Sequence, residues 1–122
     1  GAALDAADFL AGLPSLDTVP EFVESLHAQA AQQGLRIDSA QYRPQVWPGR
    51  AASAGATRVV VTRYQVVLPV RGDYPRLRHW LEASLHRYPS LALDELSLHR
   101  ETRGGAQVEA RVSLSFYCQS GA

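Results

Sequence analysis

The chain has no methionine and no lysine, only one cysteine, and no long apolar run, and each shortage narrows what it can be. Without methionine even at position 1, the sequence is expected to be a fragment or processed product, and Gly1-Ala2 has the form of a cloning scar. All 12 cations are arginine, a bias that GC-rich coding produces, and they are balanced by 12 carboxylates. That balance leaves no long-range field to gather nucleic acid or anionic lipid. Cys118 cannot form an internal disulfide and falls on the inward parity of its strand, so it reads as a small buried apolar residue rather than a reactive thiol. No stretch approaches the roughly 20 apolar residues of a membrane helix, so any membrane anchor is expected outside these residues.

The 122 residues, 46% hydrophobic and 20% charged, fit one domain with one core and no need of disulfides or metals. Residues 1–16 are expected as a lead-in segment carrying Leu4, Phe9, Leu10 and Leu13, and 17–120 as the folded domain. Thr18-Val19-Pro20-Glu21 has the form of a capping box, predicting a helix to about Gln33 that buries Val19, Phe22, Val23, Leu26 and Ala30 and closes at Gly34. Leu35 to Arg43 reads as a first strand stopped by Pro44, and 44–57, rich in proline, glycine, alanine and serine, as an exposed mobile connection. A second strand spans Arg58 to about Val70, with Val60, Tyr64, Val66, Leu68 and Val70 inward and an irregularity forced by Pro69.

Gly72-Asp73 reads as a turn and cap for a second helix, which carries Leu77, Trp80, Leu81, Leu85 and Tyr88 on one stripe and ends before Pro89. The third strand, Leu93 to Glu101, is expected to turn Leu96 and Leu98 inward and to reverse at Arg103-Gly104-Gly105. The fourth alternates without a fault: Val108, Ala110, Val112, Leu114, Phe116 and Cys118 on one side, polar residues on the other. The order is therefore αββ twice. It predicts an α+β fold of ferredoxin-like type, permuted to αββαββ, with a four-stranded antiparallel sheet backed by both helices on one face. Right-handed crossovers put the second and fourth strands in the centre.

Gly72 to Leu81, Leu91 to Leu98 and Val108 to Tyr117, together with Leu13-Pro14, Val19 to Phe22 and Gln33 to Leu35, resemble the periplasmic domain of PilO-type and GspM-type proteins. The resemblance spans most of the chain and rests mainly on core pattern; the 44–57 connection and Trp47 match nothing in it. It implies the periplasmic domain of a bacterial inner-membrane protein, whose membrane helix and coiled coil would lie outside these residues. It also implies a non-enzymatic assembly role in a type IV pilus or type II secretion platform, through dimerisation with itself or with a PilN-type or GspL-type partner.

No catalytic set emerges from the residues themselves, and no cofactor is implied. His79, Glu82 and His86 share one helix face at metal-ligand spacing, but the expected state is solvated surface with a Glu82–His86 pair, and no metal site is assigned. His27 and His99 read as isolated surface or rim residues. Ser113 and Ser115 lie in mid-strand, not on a nucleophile elbow. Two other function classes fit the fold: an RRM-like RNA-binding module, with Tyr42 and Tyr117 on the outer sheet face but without its aromatic strand motif, and an ACT-like small-molecule sensor dimer. For partner contact, the sequence points to the edge strands and the outer sheet face. There Val59, Val61, Val67 and Tyr117 are expected as an apolar patch rimmed by Arg63 and Arg111, unless the lead-in segment packs over them.

Overall fold

The computed structural model describes residues 12–54, 57–100, 105 and 107–121, and of 46–54, 57–59 and 121 only the backbone. Leu4, Phe9 and Leu10 of the lead-in, and the turn at Arg103-Gly104, lie outside them. A short 3-10 turn, Leu16–Thr18, leads into helix α1, Val19–Gln32. The expected capping box does not form. Ser15 caps the 3-10 turn through its side chain, which accepts from the Asp17 amide, and Thr18 sits in helical conformation with its hydroxyl donating back to the Ser15 carbonyl at 2.6 Å. The threonine thus spends its side chain on the incoming turn rather than on α1.

The other end of α1 behaves as the sequence predicts. Gly34 takes φ +73°, its amide bonds the Ala31 carbonyl, and the Leu35 amide reaches the Ala30 carbonyl, which closes the helix in a Schellman motif. Strand β1 is brief, Arg36–Ile37, and β2, Gln41–Ala54, follows it along the same side of the sheet. Both pair antiparallel with β3, Thr57–Asp73, so they form one edge with a break at 38–40. The break faces Pro69. The Asp38 amide bonds the Pro69 carbonyl, and since a residue's N and C=O point to the same neighbour in an antiparallel ladder, the donor that proline lacks would have faced this gap.

The 44–57 segment is a correction to the sequence reading. Instead of a mobile connection, β2 continues through Pro44 and Pro48 to Ala54, with a register shift between Val46 and Ala51. Proline is tolerated there because β2 is an edge, where the missing donor can face away from the sheet.

Asp73 then caps helix α2, Tyr74–Arg87, by accepting from the Arg76 amide at 3.3 Å, and β4 (Leu91–Arg100) and β5 (Gln107–Gly121) complete the chain. The sheet order is β1/β2, β3, β5, β4, all antiparallel, with β3 and β5 in the centre as the crossover rule requires. Pro14 and Ser15 add to the far end of β5, where the Gln119 amide bonds the Pro14 carbonyl at 2.8 Å.

Both helices cover one face. Phe22, Leu26, Leu77 and Trp80 pack with Val66, Leu68, Val70, Val112, Leu114 and Phe116 in a single core cluster. All six inward residues named for the last strand are buried. Phe22 lies parallel on Phe116, centroids 4.0 Å apart, and Tyr88 meets Phe22 edge-on at 4.9 Å, which locks α1, the end of α2 and β5 together.

Candidate functional site

The helices bury one sheet face and leave the outer face and the sheet edges uncovered by them. β3, β5 and β4 place Arg63, Ser115 and Asp94 side by side across the outer face. The Arg63 Nε donates to Ser115 Oγ at 2.8 Å, Arg63 Nη2 to Asp94 Oδ2 at 3.3 Å, and the Ser115 hydroxyl donates to that same carboxylate oxygen. Further along, Gln65 donates to Ser113, and Arg71 pairs with Glu109 at 3.0 Å and with Asp38 at 3.8 Å. The face is therefore a belt of matched polar groups rather than an apolar patch.

Of the six residues expected there, Arg63 and Arg111 lie on this face, Arg63 half-buried in the network and Arg111 exposed, and Val67 and Tyr117 are half-buried. Val61 is a correction: it is fully buried, with no surface to offer a partner. Of Val59 only the backbone is described; it pairs with Gly121 and Ala52. Arg111, Val67 and the β4 residues Ser97 and His99 border a shallow concavity of about 440 Å³.

Ser115 is no nucleophile. It has no exposure, and its hydroxyl is occupied both as acceptor and as donor. The expected Glu82–His86 pair is also corrected: Glu82 pairs with Arg78 at 3.0 Å, one turn in the other direction. Among the described residues no three of histidine, cysteine, aspartate and glutamate converge as a metal set. Tyr42 lies on the helix side of the sheet, against the core, and its hydroxyl meets His27 Nε2 at 2.8 Å. This moves Tyr42 off the outer face, and with it one of the two aromatics that an RNA-stacking surface would need. His27 is correspondingly not isolated.

The feature whose exposure the sequence does not reveal is the inward-parity side of β4. Leu96 and Leu98 have the inward parity expected of them, opposite Val112 and Ala110, yet they are 38% and 44% exposed, and Leu93 is 38% exposed. The helices cover the start of β4, where Leu91 is buried, but leave the rest of this edge only partly covered. Between β4 and α2 runs an apolar groove of about 390 Å³ bordered by Leu77, Leu81, Leu85, Leu93 and Leu96. A signal of the local geometry was present in the sequence: leucine spacing slips from two to three between Leu93 and Leu96, where the structure has a register shift and Asp94 swings to the outer face to meet Arg63.

These features define a permuted ferredoxin-like fold, and known proteins share it. The structure is similar to the crystal structure of the type 4 fimbrial biogenesis protein PilO from Pseudomonas aeruginosa, with a TM-score of 0.71 over 93% of this chain and 78% of that one, at 15% sequence identity. The sequence matches the family described as type II secretion system (T2SS), protein M subtype b, over residues 5–119. The chain belongs to that family. No curated protein sequence matches it. Among the described residues no helix is long and apolar enough to cross a membrane.

Proposed function

We propose that this domain is a non-enzymatic structural component of a type II secretion inner-membrane platform and acts by pairing with itself or with a GspL-type domain. On this reading it is the periplasmic part of a membrane-anchored protein, and the equivalent role in a type IV pilus platform, with a PilN-type partner, follows from the shared fold. One observation carries the pairing: a folded domain of this family presents three exposed leucines on an edge strand, a surface that a monomer has every reason to cover. The occupied polar belt on the outer face supports a scaffold rather than a reactive centre.

Sedimentation velocity across a concentration series, alone and mixed with a GspL-type periplasmic domain, tests this. Association in either arm is expected; a strict monomer in both overturns it. Affinity for single-stranded RNA at low salt, or a thermal stabilisation by amino acids or nucleotides, would instead favour a nucleic-acid or sensor role.

A further inference from the structure

The two edges of the sheet are not equivalent. The β2 edge contains Pro44 and Pro48 and a register shift, and proline can give no N–H to an incoming strand. The β4 edge has no proline and no lysine, and it carries its leucines uncovered. One edge of the domain is blocked against strand addition and the other is open.

The open edge is also complementary to itself. In an antiparallel pair, residues directly opposite share a face, so two copies of β4 meet leucine to leucine only in certain registers. Past its bulge, β4 turns Leu96 and Leu98 to the helix side and Glu95, Ser97 and His99 to the outer side, as their partners on β5 require. Centring a two-fold axis on Leu96 sets Leu98 against Asp94, and centring it on Leu98 sets Leu96 against Arg100. Centring it on Ser97 sets Leu96 against Leu98 twice on one face and Glu95 against His99 twice on the other. Acid then faces imidazole, apolar faces apolar, and the contact closes on itself as a two-fold interface does.

We propose that two copies of this chain pair through β4, antiparallel about Ser97, to make one continuous sheet eight strands wide, β1 and β2 sharing the outer edge in each copy, whose leucines close the groove beside α2 from both sides. This rests on the pairing function proposed above and assigns it a surface and a partner, namely a second copy. The β2 edge and the outer face remain available to other proteins in such an assembly.

Ser97→Cys tests the register. Cysteines facing each other across the axis of an antiparallel pair come within disulfide reach, so mild oxidation is expected to give a covalent dimer, whereas Glu24→Cys, exposed on α1 away from β4, is expected to give none. The native Cys118 is buried and does not compete. Leu96→Lys and Leu98→Lys alter side chains already exposed in the single chain, so each should keep the far-ultraviolet spectrum and melting cooperativity while weakening dimerisation roughly ten-fold or more in sedimentation equilibrium. A wild-type dimer that Ser97→Cys fails to cross-link and Leu96→Lys fails to weaken overturns the β4 contact and leaves pairing itself standing. A wild type that is monomeric at every concentration overturns self-pairing, and the platform role is then judged by the mixed sample alone.

Discussion

The indole N–H of Trp80 donates to the main-chain carbonyl of Leu26 at 3.1 Å, joining the two helices by a hydrogen bond in the interior of the protein. Both residues are 1% exposed, so neither can exchange this bond for one to water. Trp80 therefore does two jobs, filling the space between α1, α2 and the sheet and fixing the helices relative to one another. Trp80→Phe keeps an aromatic ring but removes the donor and part of the volume. It is expected to cost about 2–4 kcal/mol, seen as a lower midpoint at unchanged slope in urea unfolding. A change within about 0.5 kcal/mol would mean that the bond and the volume are replaced by repacking or water.

On the opposite face, Ser115 is the buried centre of a bridge between Arg63 and Asp94. Ser115→Ala deletes both hydrogen bonds yet leaves a charge pair that is still about a quarter to a third exposed, at 30% and 26%. The loss is expected at about 1–2 kcal/mol, because partial exposure lets water replace part of what is removed. Combining Ser115→Ala with Asp94→Ala should cost less than the sum of the two single changes, since both disrupt the same contact. Additive losses in that cycle would show that the three side chains do not act together.

How far these features could be read from the sequence depends on what each one requires. The alternation from Val108 to Cys118 needs only the two-residue period of a strand, and every inward residue is buried. The strand order follows from two αββ units and handed crossovers. Three features needed more. Pro44 and Pro48 read as chain breakers until it is known that their strand has a free edge. Val61 has the outward parity of Arg63, but parity fixes a side of the sheet and not whether anything covers it. The Arg63–Ser115–Asp94 bridge spans three strands separated by up to 52 positions, so it depends on registers that local pattern does not carry. For the same reason parity places Leu96 and Leu98 on the correct face but does not show that they lie at its uncovered margin.

Two glycines separate conformational cost from crowding. At Gly34 a Cβ would have open space, with only the Arg76 Nη1 at 3.8 Å, but φ is +73°. Gly34→Ala is then purely a backbone penalty, expected near 1 kcal/mol, and Gly34→Asn should recover part of it because asparagine tolerates this region better. At Gly72 a Cβ would fall 2.5 Å from Cδ2 of Leu35, a side chain that is itself packed in the core. Gly72→Ala must push Leu35 out of place as well as adopt φ +159°, so it is expected to cost about 2–3 kcal/mol, clearly more than Gly34→Ala. Thermal denaturation of the three variants gives the ranking, and equal losses for the two alanine variants would remove crowding as the difference.

Burial pushes the Cys118 thiol up to about 11 from an ordinary value of 9.0, because the thiolate would have to form in the core. At neutral pH the folded protein should react with a disulfide reagent only as fast as β5 opens, and Leu114→Ala, which loosens the core beside it, should accelerate the reaction. The linkage has a definite sign. Below pH 9 both folded and unfolded chains hold the proton, so the thiol contributes no pH dependence; between about 9 and 11 the unfolded chain loses it first, and stability falls as pH rises. Above about pH 11 that contribution is fully lost, a total near 2–3 kcal/mol. Other groups titrate in this range, so the observable is the difference between wild type and Cys118→Ala. The gap between their unfolding free energies should be constant from pH 6 to about 8 and shrink, or reverse, from about 9 to 11. Parallel stability curves over that interval would mean that the thiol ionises as readily in the folded chain as in the unfolded one, and that β5 is not sealed at its Cys118 end.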